Sequence, residues 1–269
     1  MILGRVAGEL IVSAFYPEPG HYNECVMSDG MKPRVLVSWS SGKDSAWALH
    51  LLRQQNQVEI VGLLTTVNRH FQRVAMHGTR RDLLEAQARA AGLPLWEIPL
   101  PWPCPNEAYE RAMAEACAKA AQEGIAAIAF GDLFLEDVRK YREDRLRGTG
   151  IQPMFPVWGL DTRDLIREML AARLRARIVC VDPGKISAQF AGRDITSELV
   201  AQLPVGADPC GENGEFHTFV YAGPMFDKPI PIESGEVVTR DGFVYADVLP
   251  RALPRNGQKQ VAHLSQALL

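Results

Sequence analysis

The sequence predicts an α/β chain: a doubly wound parallel sheet over about residues 33–150, followed by a smaller C-terminal α+β domain over 151–254. Three observations lead there. Short apolar strands alternate with helix-length amphipathic segments from Pro33 onward, and crossovers of that length between strands imply a parallel sheet with helices on both faces. Polar segments rich in Ser, Thr, Gly and Asp follow three of these strands, at the end of the sheet where ligands collect. Beyond residue 177 the pattern changes to short strands joined by Gly- and Pro-rich connections.

Each element has a local cause. Arg34-Val35-Leu36-Val37-Ser38 is a continuous apolar strand, and residues 44–54, with Ala46, Trp47, Leu49, His50 and Leu51, form the first helix. Residues 59–66 are a second strand, followed by a loop with Met76 and His77. A helix over about 80–91 is ended by Gly92 and Pro94. Residues 95–99 are the third strand. Asn106 is the expected cap of the next helix, whose Tyr109, Met113, Cys117 and Ala120 make one stripe before Gly124 stops it. Residues 125–130 form the fourth strand and run into Gly131-Asp132. Residues 136–147 are almost all charged, 162–172 form a further helix, and 177–181, 218–221 and 243–248 are strands. Residues 1–32 read as an appendage, with translation expected to begin at Met27 or Met31, and 255–269 as a mobile tail.

Composition narrows the function. The 269 residues are 47% hydrophobic and 23% charged, which excludes disorder and supplies a core. Lys and Arg number 29 against 32 Asp and Glu, so no global basic field exists to attract nucleic acid. Cys25, Cys104, Cys117, Cys180 and Cys210 form neither a C-x-x-C pair nor a zinc spacing, the pattern of reduced thiols in a cytoplasmic protein. No apolar run approaches the roughly 20 residues of a membrane span, and a membrane partner is not expected.

The turn after the first strand, Ser40-Ser41-Gly42-Lys43-Asp44-Ser45, opens a helix. Backbone N–H groups and the helix N-terminus favour an anion there, and Lys43 adds a full charge. A Walker A loop needs a Gly four residues removed from its Gly-Lys, and Ser or Thr after the Lys. Val37 and Asp44 stand in those places, and that motif fails. Taken alone, the segment also reads as a polar turn in which Asp44 caps a helix.

The same stretch resembles the pyrophosphate loop, S-G-G-x-D-S, of the ATP pyrophosphatases (PP-loop superfamily), with Ser41 replacing the first glycine. Far along the chain, Cys210-Gly211-Glu212-Asn213-Gly214-Glu215-Phe216 with Thr218, then Gly223-Pro224-Met225-Phe226, resembles the C-G-E-G-G-E-Y-E-T…G-P-L-F signature of diphthine–ammonia ligases. Gly131-Asp132, Arg139, Glu143, Gln152-Pro153 and Trp158 fall in that family's order, so the resemblance covers about residues 33–226. His217 stands where the ligases have Glu, Asn213 where they have Gly, and the extra C-terminal domains of the larger eukaryotic members are lacking.

The resemblance implies a fold of the adenine nucleotide alpha hydrolase (HUP-like) type and an AMP-forming carbon–nitrogen ligase. ATP is cleaved between its α and β phosphates, a carboxylate becomes an acyl-adenylate, and ammonia attacks it. It implies ATP and Mg²⁺ as cofactors, with ammonia or ammonium and a carboxylate acceptor as partners. That acceptor is the diphthine of elongation factor 2 if the source is archaeal or eukaryotic. ATP binding is expected at Ser40, Ser41, Gly42, Lys43, Asp44, Ser45, Thr65, Thr66, Met76, His77, Gly131 and Asp132. Substrate binding is expected at Arg139 and Glu143, one helical turn apart, and at Cys210, Gly211, Glu212, Gly214 and Glu215. Catalysis is expected to rest on Lys43, Asp44, Glu212 and Glu215; no metal ligand set is readable.

Plainer readings compete. His77 also reads as an ordinary loop histidine, Arg139 and Glu143 as a solvated face, and Glu212 and Glu215 as exposed loop residues. Cys210 is either structural or, with His217 available, a sulfur-carrying thiolate. Two other functions stay open: tRNA modification, which the acidic balance and missing cysteine pair weigh against, and a nucleotide-binding module without turnover. Homo-oligomerisation is left open.

Overall fold

A computed structural model describes residues 31–74 and 78–251. The expectations for residues 1–30, for Met76 and His77, and for the tail from 252 onward lie outside the described residues.

Alternating burial decides how the first sheet is covered. β1 (Arg34–Ser38) sends Val35 and Val37 into one apolar core and Leu36 into another, and β5 (Ala127–Ala129) repeats this with Ala127 and Ala129 against Ile128. A strand buried on both faces needs a layer on each. α1 (Lys43–Gln55), α2 (Arg81–Ala91) and α5 (Thr162–Ala171) contribute to the first core, α3 (Asn106–Gln122) and α4 (Glu136–Leu146) to the second. The parallel strands run in the order β4 (Leu95–Leu100), β2 (Glu59–Asn68), β1, β5, β6 (Gln152–Met154). This is the expected doubly wound sheet. Its order reverses between β1 and β5, whose carboxyl ends therefore open a crevice.

Several details depart from expectation. Two-residue β3 (Arg73–Val74) runs antiparallel to the end of β2, too short to show a period. Three-residue β6 contains Pro153 and sits at the sheet edge, where a missing N–H is tolerated, so the first sheet continues past residue 150. Asn106 does not cap α3: Pro105 holds the cap position with no side-chain bond, and Asn106 is the first helical residue.

The second sheet is antiparallel, in the order β8 (Phe216–Ala222), β7 (Arg175–Val181), β10 (Phe243–Pro250), β9 (Ile232–Arg240). β9 was not expected. It joins β10 through Asp241-Gly242, both at positive φ (52° and 85°), the backbone a tight right-twisting hairpin demands.

The two sheets share a core, and a buried glutamine ties them. Gln87 of α2, fully buried, donates to Ser41 O (3.1 Å) and Val220 O (2.7 Å) and accepts from Trp39 Nε1 (2.9 Å). Val220 N–H of β8 donates to Ser41 O at 3.0 Å, so the turn after β1 lies along the edge of the second sheet. Among the described residues no helix is long and apolar enough to cross a membrane.

Candidate active site

The turn after β1 is shaped by its neighbours. Ser41 adopts φ +72°, a left-handed conformation that costs a non-glycine residue about 1 kcal/mol; the two hydrogen bonds to its carbonyl hold it there. Its Oγ is buried and has no hydrogen-bond partner. Gly42 caps α1 without a side-chain bond, Ser40 Oγ lies 3.1 Å from Ser45 Oγ, and Lys43 N–H donates to Thr218 Oγ1 of β8 at 3.1 Å. Gly131 closes the other side of the crevice. A Cβ there would lie 2.7 Å from both Asp44 C and Ser45 N, so only glycine lets the end of β5 approach the helix start this closely.

A polar cavity of about 630 Å³ opens at this point. Ser40, Gly42, Lys43, Asp44, Ser45, Gly131 and Asp132 line one wall, and Cys210, Gly211, Glu212, Gly214, His217 and Thr218 the other. Lys43 lines it with a side chain that is only 3% exposed. The ammonium donates to both carboxylate oxygens of Asp44 (2.7 and 2.9 Å) and lies 3.9 Å from Glu212 Oε1. Burial works against the charge on Lys43, but the adjoining carboxylates, Asp44 foremost, outweigh it and hold its pKa above the usual lysine value. Glu212 is pushed up to about 8 by burial and by the Asp44 charge, with Lys43 opposing. Asp132 is also raised by burial, against the pull of Arg142. His217 is lowered by burial and then by Lys43.

The opposite wall is built by a loop that binds itself. Asp208 Oδ1 accepts from the N–H groups of Cys210 (2.8 Å) and Glu212 (3.3 Å), while its Oδ2 accepts from Thr162 Oγ1 (2.7 Å). Glu215 corrects an expectation. It is buried and turned into its own loop, where Oε1 accepts from Asp208 N–H (2.8 Å) and Oε2 from Asn213 N–H (3.0 Å); it does not line the cavity. Glu212, by contrast, faces the cavity. The Cys210 thiol is buried, donates to Thr162 O at 3.4 Å, and is pushed up by burial, which leaves it neutral and poorly nucleophilic.

A second, mostly apolar cavity of about 420 Å³ adjoins the first. Leu64, Ile98, Tyr109, Met113, Ile128 and Phe130 supply its apolar wall. Thr65 and Thr66 also line it, and Thr65 Oγ1 is buried without a partner. The cavities share Ser38, Ser40, Phe130 and Arg142. Arg142 was missed in the sequence: it stacks 4.9 Å from the centre of the Phe130 ring, with Nε 3.4 Å from Asp132 Oδ2. The expected pair Arg139 and Glu143 does form, at 2.8 Å. Arg139 packs on Phe155 and Trp158, and neither member of the pair lines either cavity. The i, i+3 spacing from Arg139 was the available signal for Arg142. Asp208, in the turn before Cys210, had no comparable signal. Among the described residues no group of three or more His, Cys, Asp or Glu is arranged to hold a metal ion.

A serine- and glycine-lined turn at the switch point of a doubly wound sheet, closed by the edge of a second sheet, defines an α/β protein of the PP-loop class. Comparison with known proteins narrows this. The diphthamide synthase N-terminal domain matches residues 32–153 and the diphthamide synthase C-terminal domain matches 161–248, and the chain belongs to the diphthamide synthase family. It is similar to the diphthine–ammonia ligase of Rattus norvegicus, 29% identical over 132 residues that make up 47% of this chain and 49% of the relative. It is likewise similar to those of Homo sapiens (29% over 133 residues, 47% and 49%) and Mus musculus (29% over 139 residues, 50% and 52%). The matched region spans about half the length of these curated relatives.

Proposed function

We propose that the chain is an ATP-dependent, AMP-forming amide ligase that adenylates the carboxylate of a diphthine-type acceptor and transfers the acyl group to ammonia. One observation carries this reading. The hydrogen bond from Lys43 to Thr218, 175 residues apart in sequence, brings the pyrophosphate-type turn and the 210–218 signature around a single polar cavity.

Adenosine takes the apolar cavity, its base against Leu64, Ile98 and Met113, and Thr65 Oγ1 gains the partner it lacks. The β and γ phosphates lie on residues 40–45, facing the α1 N-terminus and Lys43. The α phosphate then falls at the wall shared by the two cavities, beside Ser40 and Arg142. As pyrophosphate leaves, Lys43 stabilises the charge that develops on it, and Asp44 fixes the ammonium in place. Holding the acceptor carboxylate in line with the α phosphate supplies the remainder through orientation.

Mg²⁺ fits the donors present. Asp44, Asp132 and Glu212 offer hard oxygens around the cavity, and this ion needs only one or two carboxylates when phosphates complete its shell. When bound, it neutralises phosphate charge. Ammonia attacks the acyl carbon, the C–N bond forms as the bond to AMP breaks, and Glu212 takes the proton that nitrogen sheds. With its pKa raised to about 8, Glu212 serves as this base in its ionised form, which becomes available as the pH approaches 8. The buried, neutral Cys210 speaks against the sulfur-carrier alternative.

The test is incubation with Mg-ATP, ¹⁵N-ammonium and diphthine-bearing elongation factor 2. Equal amounts of AMP, pyrophosphate and ¹⁵N-amide are expected; ADP and phosphate as the products, or turnover without ammonium, would refute the proposal.

A further inference from the structure

The two edges of the second sheet are unlike. The outer edge of β8 is occupied by the turn after β1, through Val220 N–H to Ser41 O and Lys43 N–H to Thr218 Oγ1. The outer edge of β9 pairs with no strand among the described residues. It is also long and exposed. Residues 236–240 are exposed on both faces of the strand, with Val237 at 59% and Val238 at 41%, and Phe243 beside them on β10 at 38%. Its pairing with β10 shifts register between Ser234 and Val237, and beyond that shift the edge presents two adjacent exposed valines and no proline, open to pairing with another strand.

Its charges are arranged to pair with themselves. Neither Glu236 nor Arg240 forms an ion pair with another described residue. Antiparallel pairing of two β9 strands about a two-fold axis sets residue i opposite a fixed partner j. With Val238 opposite its own copy, Glu236 of each strand faces Arg240 of the other, and Val237 faces Thr239. Shifting the axis by a whole residue sets Glu236 against Val238, or Glu236 against Gly242. Only the register centred on Val238 yields two opposite-charge pairs, and it also sets Val238 against its own copy, both of which favour cross-strand pairing.

We propose that the free edge of β9 is a homodimer interface, in which two copies of the chain pair antiparallel about Val238 with reciprocal Glu236–Arg240 contacts. The interface is isologous and closed, as two-fold dimers are. The result is a continuous eight-stranded sheet, β8-β7-β10-β9 followed by its symmetry mate. Seven strand spacings separate the two β8 edges, about 34 Å, so the two candidate sites lie at opposite ends and do not share residues. The dimer does not depend on the ligase reading, and its loss leaves each site intact.

Sedimentation velocity of the full chain across the micromolar range tests this, with circular dichroism confirming that each variant is folded. A dimer is expected for the native chain. Glu236→Arg and Arg240→Glu each bring like charges together twice and are expected to raise the dimer dissociation constant at least tenfold. The double variant Glu236→Arg/Arg240→Glu restores both pairs and is expected to dimerise as the native chain does. A native chain that stays monomeric throughout, single variants that dimerise normally, or a double variant that remains dissociated would each overturn the interface.

Discussion

The two adjoining cavities are built in opposite ways. The apolar one is made by the first sheet and its helices alone, from residues within 38–149, and packing holds its shape. The polar one needs both sheets, and hydrogen bonds and buried charge hold it: Lys43 between Asp44 and Glu212, Gln87 spanning the turn and β8, and Asp208 gathering the 208–215 loop. The contrast teaches that recognition of a base and handling of phosphates are separable here. Substitutions in the first cavity should act on affinity, and those in the second on chemistry or on the joint between the sheets.

The sharpest way to break that separation is Lys43→Met. Loss of the buried ammonium is expected to lower AMP formation about 10³-fold, roughly 4 kcal/mol of transition-state stabilisation, while adenosine binding measured by calorimetry changes little. Loss of adenosine binding as well would merge the two cavities into one functional unit. Gln87→Leu probes the joint. It leaves Trp39 Nε1 and Val220 O without their partner and is expected to cost about 2–4 kcal/mol in urea unfolding. Filling the apolar cavity with Met113→Trp is expected to raise the KM for ATP about tenfold with kcat nearly unchanged, in steady-state kinetics.

A separate effect concerns pH. Glu212 is held as a neutral acid in the folded chain to about pH 8, but ionises near its ordinary value when unfolded. Between those limits the unfolded state releases a proton that the folded state keeps, so the native chain loses stability as pH rises through this window and no further above it. Glu212→Gln carries no such penalty. Its melting temperature relative to the native chain is expected to climb from pH 5 to pH 8 and then level off, and a difference independent of pH would contradict the burial of this carboxylate.

What was legible in the sequence follows the range of the signal. The doubly wound sheet could be read because β1 and β2 are nearly continuous apolar runs and α2 and α5 carry strong local periodicity, and residues 40–45, 131–132 and 210–218 because each is a contiguous motif. Long-range contacts were not readable. Gln87 lies inside an ordinary amphipathic helix, and nothing local reveals that its amide bridges Ser41 and Val220. Glu212 and Glu215 look alike in sequence, yet a two-residue offset turns one to the cavity and the other into its loop. The Asp241-Gly242 hairpin turn was a visible marker for β9, but Gly and Glu within that strand obscured its alternation. Ser41 is a related case: its left-handed backbone is imposed by β8 and α2 and not by its own residue type.

The central claim is that a triphosphate lies across both cavities, with its leaving pyrophosphate on Lys43. A crystal structure with the α,β-methylene analogue of ATP tests it most directly. The β and γ phosphates are expected against residues 40–45 and the Lys43 ammonium, with the adenosine between β2, β4 and α3. An analogue bound with its phosphates away from Lys43, or with the apolar cavity left empty, would contradict the claim.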